Sequence, residues 1–272
     1  MSFRVMQVHP AALLRTLLLA AVALSSARAA DDRHAPVYEV GEELVYNVRF
    51  SFFDLGQIRI RTLRAVQEDS SLVYEASANI ASYSSVPFVS VQAVFESRID
   101  SGSFSRHFVG RSRIDDDWET SIYVFDYRAG NVDMKVFDRD SVLRKQSTLE
   151  ARQVLQDGLS LFFYARQHLF AGRELVVPTV IKEEHVQTYL DMRTTQESVD
   201  IDAVDYPVDV RHFVGNADFV GFFGLTGDFE GWFSNDRARI PIKAYLKIIL
   251  GNVTVELMEW KRAGWTPPQA KD

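Results

Sequence analysis

The chain of 272 residues is 47 % hydrophobic and 25 % charged, with 19 Phe, 10 Tyr and 4 Trp, 14 Gly, 8 Pro and no cysteine. This is a globular composition, and it excludes disulfide staples, thiolate metal sites, a thiol nucleophile and a lipid-bearing cysteine. The formal charge of −7 argues against nucleic acid as a partner, because an acidic surface repels phosphates.

Residues 1–29 hold Arg4 and Arg15, then the apolar run 16–24, then Ala27-Arg28-Ala29, which is the pattern of a cleavable secretory leader. The run is shorter than the roughly 20 residues that cross a bilayer as a helix. The leader carries three arginines and no acid. Its removal lowers the 30 basic residues to 27 against 37 acidic ones, a net of −10. A periplasmic protein with no transmembrane segment after leader cleavage is expected. Residues 30–262 are expected to form a single β-rich domain, and residues 263–272, with Pro267-Pro268, a flexible tail that frays.

Period-two alternation then dominates. Leu44, Tyr46, Val48, Phe50 and Phe52 share one face of a strand, with Asn47, Arg49 and Ser51 on the other. Asp54-Leu55-Gly56 reads as a turn, and Ile58, Ile60 and Thr62 as the returning strand. Leu72, Tyr74, Ala76, Ala78 and Ile80 repeat the pattern, followed by Val89, Val91, Ala93 and Phe95, and by strands over 104–114, 118–128 and 132–137. That makes seven or eight strands in a meander. From 153 to 170 the period becomes helical, through Leu155, Leu159, Phe162, Phe163, Leu169 and Phe170, with Asp157 as an N-cap and Gly172 past the end. Strands resume over 174–180, 185–193, 197–201, 208–214, 229–233, 240–250 and 253–260, with Gly251-Asn252 as the last turn. The expected fold is mainly β, a curved antiparallel sheet forming a barrel or half-barrel, with one long α-helix near the middle of the chain. A single helix plugs only part of such a lumen. An apolar cleft lined by Tyr46, Phe50, Phe52, Tyr74 and Phe95 follows.

Three segments carry a family resemblance: Gly41-Glu42-Glu43-Leu44-Val45-Tyr46 with Gly56; Asp157-Gly158-Leu159-Ser160 with Tyr164 and Arg166; and Gly231-Trp232-Phe233-Ser234-Asn235-Asp236 with Arg239-Ile240-Pro241-Ile242-Lys243. In this order they resemble an exported bacterial family of unknown function, numbered 3108. Asn235 stands where that family has an acid. The resemblance implies a periplasmic β-rich protein and brings no catalytic residues. Its architecture is similar to the half-barrels of lipoprotein-localisation carriers, which hold acyl chains in an apolar concavity.

Candidate chemistry is sparse. Asp115-Asp116-Asp117 lacks the spacing and central glycine of a calcium loop and reads as a solvated turn. Glu183, Glu184 and His185, with His212, form a weak metal set, because adjacent strand residues point to opposite faces. Ser160 lacks the glycines of a nucleophile elbow, and its hydroxyl is expected to bond back to the preceding turn. Nucleotide-binding, zinc-protease and kinase motifs do not occur. In the cluster Trp232, Asp236, Arg237 and Arg239, a packed turn with an Arg on Asp236 is preferred to a ligand mouth. Phe219, Phe222, Phe223 and Leu225, spaced by Gly221, Gly224 and Gly227, suggest a lid or a membrane-touching tip. The expectation is a non-catalytic periplasmic protein that binds an apolar or amphipathic, lipid-like ligand or a lipoprotein through Tyr46, Phe50, Tyr74, Phe95, Phe162, Trp232 and Arg239, without metal or cofactor. The alternative is an envelope component with a filled core, whose protein partner docks on a sheet edge.

Overall fold

Alternation becomes strand throughout the computed structural model, which describes residues 37–86, 90–114, 117–217, 226–248 and 251–271. Eight strands come first: β1 (Glu43–Phe50), β2 (Phe53–Glu68), β3 (Ser71–Ser82), β4 (Val91–Asp100), β5 (Phe104–Ile114), β6 (Asp117–Asp126), β7 (Asn131–Asp138) and β8 (Leu143–Glu150). Helix α1 (Ser160–His168) interrupts them. Six more follow: β9 (Glu174–Ile181), β10 (Glu184–Val199), β11 (Val208–Ala217), β12 (Gly227–Ser234), β13 (Pro241–Ile248) and β14 (Gly251–Lys261). They form one curved, unclosed antiparallel sheet in the order β8-β7-β6-β5-β4-β3-β2-β1-β14-β13-β12-β11-β10-β9. Every neighbour pair is a sequential hairpin except β1 with β14, which run from Glu43 opposite Lys261 to Arg49 opposite Thr254. Among the described residues no helix is long and apolar enough to cross a membrane.

The helix is nine residues long, not the eighteen expected over 153–170. The cause lies in the backbone ahead of it. The Leu155 carbonyl accepts the Ser105 N–H at 3.0 Å, the Gln156 N–H donates to the Pro178 carbonyl at 2.9 Å, and the Gln156 carbonyl accepts the Val180 N–H at 2.8 Å. Groups spent on neighbouring strands cannot also close helical turns. Residues 155–157 therefore run extended between β5 and β9, with Gln156 bridging Thr179 in parallel. Asp157 keeps its capping role two residues ahead of the N-cap Leu159, its Oδ1 accepting the N–H groups of Leu159 and Ser160 at 2.7 and 2.8 Å.

Other expectations shift for local reasons. The first hairpin turns at Ser51-Phe52, where Ser51 has φ +54°, so Asp54-Leu55-Gly56 belongs to β2 and Phe52 stands 80 % exposed rather than inward. The strands expected at 185–193 and 197–201 are one strand, β10, bent by an irregularity between Asp191 and Thr195. Gly251 and Asn252 are already paired, opposite Ile248 and Lys247. The tail expected to fray is pinned: the Asp209 N–H donates to the Pro268 carbonyl at 2.7 Å, the Ala270 N–H to the Pro207 carbonyl at 2.8 Å, and Trp265 Nε1 to Asp236 at 2.7 Å.

Side chains draw the two sheet edges together. Lys182 and Glu183 take positive φ (49° and 60°) at the β9–β10 turn. The Glu183 carboxylate there accepts the Tyr123 hydroxyl at 2.8 Å and the Ser121 hydroxyl at 3.2 Å from β6, and faces Lys145 of β8 at 3.4 Å. Two apolar clusters form the core. The larger joins Leu44, Tyr46, Phe95, Phe108, Tyr123 and Phe163; the smaller packs Ala165 and Leu169 of α1 against Leu175, Val177, Leu190, Met192, Phe213 and Phe233.

Candidate functional site

The concave side is occupied by the chain's own rings. Tyr38 lies stacked between Tyr74 and Phe163, with centroids 4.2 and 5.1 Å away, and Phe162 meets Phe163 edge-on at 5.3 Å. Phe95, Phe108 and Tyr123 follow one another across β4, β5 and β6 at 5.8 and 5.1 Å. Tyr46 is buried in the same cluster, and its phenol is pushed up by burial. Phe50 is half-buried at the end of β1, against Gly251. Trp232 lies on the opposite face: it stacks on His212 at 4.8 Å and donates from Nε1 to Glu197 at 3.1 Å. Arg239 is fully buried with φ +47°, and burial, with Arg166 nearby, pulls its pKa down to about 10. The seven residues expected to bind the ligand are therefore divided between interior packing, a strand end and the outer face.

The three segments that carry the family resemblance meet inside. Arg166 of α1, fully buried, donates from Nη1 to Glu42 Oε1 at 2.7 Å and from Nη2 to Oε2 at 3.1 Å. Its remaining donors reach the carbonyls of Val37, Ala238 and Arg239 at 3.4, 3.0 and 3.2 Å. Arg262 of the segment after β14 also donates to Glu42 and pairs with Glu39 at 3.1 Å. Burial opposes the Arg166 charge, but Glu42 prevails and raises its pKa. One carboxylate thus ties the start of β1, the helix, the 238–239 turn and the end of the chain.

A second network anchors the helix start. Asp157, fully buried, accepts the hydroxyls of Ser97 at 2.8 Å and Ser105 at 2.7 Å. Burial pushes this carboxyl up, and the hydrogen bonds only partly offset it. Ser160 donates to Gln156 Oε1 and contacts the Ser105 hydroxyl, each at 2.7 Å, which is the back-bonding expected of it inside a sealed pocket. Asp236 closes its turn by accepting the N–H groups of Ala238 and Arg239 and the Ser234 hydroxyl. His212 pairs across from Thr195, ten residues along β10 from His185, or about 33 Å of extended strand, so these histidines share no site. Asp115, Asp116 and the side chain of Asp117 lie outside the described residues, as do Phe219, Phe222, Phe223 and Leu225.

A trough of about 560 Å³ opens on the outer face. Cross-strand partners share a face, and the register sets out two rows. One runs Val176, Tyr189, Asn216, Asp228; the next runs Glu174, Asp191, Val214, Glu230, Tyr245. The row between them, Leu175, Leu190, Gly215, Phe229 and Leu246, faces the helix side. Val176, Tyr189, Val214 and Tyr245 are 57, 44, 45 and 40 % exposed, an apolar floor with a mainly acidic border. Sequence reading missed this floor. Its signal is adjacent apolar residues in antiparallel strands, Leu175-Val176-Val177, Tyr189-Leu190, Phe213-Val214 and Tyr245-Leu246, which leave neither face polar.

These features define an unclosed antiparallel half-barrel folded around a short internal helix, with an apolar trough on its outer surface. The chain belongs to the family described as protein of unknown function, DUF3108, which matches residues 45–258. Among solved structures, the chain is similar to a β-barrel-like protein of unknown function, DUF1849, from Brucella abortus. That match has TM-score 0.54 and 11 % identity and covers 82 % of this chain and 97 % of the other. A Bacteroides fragilis protein with a YmcC-like fold covers the same shares at TM-score 0.36 and 10 % identity. No curated protein matches the chain.

Proposed function

We propose that this chain is an exported, non-catalytic binding component of the bacterial envelope that engages an apolar or amphipathic ligand on the outside of its half-barrel. The leader-like residues 1–29 support export to the periplasm. The carrying observation is the trough of about 560 Å³ floored by Val176, Tyr189, Val214 and Tyr245, a volume in the range of small-molecule sites. The interior is a poorer candidate, because Tyr74, Phe95 and Phe162 are committed to ring contacts within the chain.

Methyl-resolved NMR tests this reading. In a titration with monomeric dodecylphosphocholine, the methyls of Val176 and Val214 shift in a saturable way, while those of the buried Val132 and Val177 stay fixed. Shifts confined to the buried valines would return the ligand to the lumen. No saturable shift at either set would rule out an acyl-chain ligand.

A further inference from the structure

We infer that the occupant of the outer trough is a polypeptide segment carrying lysine or arginine beside apolar side chains. This rests on the trough being the binding surface and adds the partner's chemistry. The border carries Glu174, Asp191, Asp228 and Glu230 against Lys247. Arg193 pairs with Glu174 and Asp191, each at 2.6 Å, and His212 Nε2 lies 3.1 Å from Glu230; with Arg193 counted, four acids still face two fixed cations. The whole chain adds a net −7 of the same sign, which repels anionic lipid headgroups and a second copy of this chain, and attracts a cationic partner.

The floor argues for peptide over acyl chain. Tyr189 and Tyr245 are of the residue type enriched at protein interfaces, and the valines beside them give flat apolar contact. The trough is open along its length, so a bare acyl chain lying in it keeps one side in water, whereas a lipid site covers most of its ligand. A peptide turns apolar side chains to the floor, its polar backbone to solvent and its cations to Asp228 and Glu230.

The test uses the purified chain and a short fluorescein-labelled peptide of alternating lysine and valine. Its glutamate-for-lysine analogue, phosphatidylglycerol vesicles and phosphatidylcholine vesicles serve as parallel probes. The lysine peptide binds saturably and more weakly as salt rises. Val214→Ser and Glu230→Lys each weaken it about tenfold, the equivalent of about 1.4 kcal/mol. Glu150→Lys, the same charge change on the other edge strand, β8, and off the trough lining, leaves binding as it was. Circular dichroism confirms that each variant is folded. If Glu150→Lys weakens the peptide as much as Glu230→Lys, the attraction is that of net charge and the inference falls. If the glutamate peptide or either vesicle binds with sensitivity to Val214→Ser while the lysine peptide does not bind, the basic-peptide inference falls and the trough stands. If no probe responds to Val214→Ser or Glu230→Lys, both fall.

Discussion

Removing Glu42 tests the view that one buried carboxylate holds the ends of the chain to the helix. In Glu42→Ala, Arg166 loses its bidentate partner at 2.7 and 3.1 Å and keeps only the carbonyls of Val37, Ala238 and Arg239, so a guanidinium fully enclosed by protein has no counter-charge. Breaking a buried pair from one side costs about 3–5 kcal/mol. At about 2–4 °C per kcal/mol for a domain of this size, the melting temperature falls by about 6–20 °C. Arg262 stays partnered through Glu39 at 3.1 Å and limits the damage at the chain end. Urea unfolding followed by tryptophan fluorescence reads the free energy. The double variant Glu42→Leu with Arg166→Met removes both charges and recovers most of the loss, because a buried pair exchanged for apolar packing is close to neutral. A loss below about 1 kcal/mol in Glu42→Ala, or a double variant weaker than the single one, refutes this reasoning.

Asp157 has its folded-state pKa raised above the unfolded value, chiefly by burial. Between those two values the folded protein holds more protons, so stability falls as pH rises through that window. In Asp157→Asn this component of the slope is absent, and unfolding free energies measured at a series of pH values from about 4 upward show the difference; parallel curves for the two proteins reject it. Gly231→Ala places a Cβ 2.5 Å from Cε1 of Phe213 and destabilises by about 1–3 kcal/mol through overpacking. Adding Phe213→Leu restores part of that in the same urea assay, and a neutral Gly231→Ala contradicts the packing given for this strand pair. Truncation before Trp265 removes the bonds to Asp236, Asp209 and Pro207, each worth about 1 kcal/mol net, and lowers the melting temperature, whereas an unchanged melt would mean that the tail is ornamental.

The strands were legible because one face of the sheet is buried, and burial on one face writes a period of two into the chain. The helix was read too long for a related reason. Leu155 and Leu159 are both buried and sit at helical spacing, but spacing carries no information about where the backbone of Leu155 and Gln156 spends its hydrogen bonds. The Ser51-Phe52 turn was invisible because Ser51 adopts positive φ without glycine, and alternation continued through it to Phe52. The ring positions Tyr46, Tyr74, Phe95 and Phe162 were correctly read as apolar. Whether they face a ligand or each other depends on how far the sheet curls and what α1 brings, which no local pattern encodes. The outer trough was within reach of the sequence through its paired apolar neighbours, but only once antiparallel pairing was taken to leave the second face wet.

The pairing of β1 with β14 has a consequence for assembly. Each of the other neighbour pairs can zip as soon as its own hairpin is free to close, so the chain forms as two ribbons, β1–β8 and β9–β14. The join between them unites Glu43 with Lys261 and must wait for the last strand, at the highest loop-closure cost in the molecule. Until that zipper closes, the inner edge of each ribbon is open to a foreign strand, so crowding of newly made chains punishes this protein at one seam.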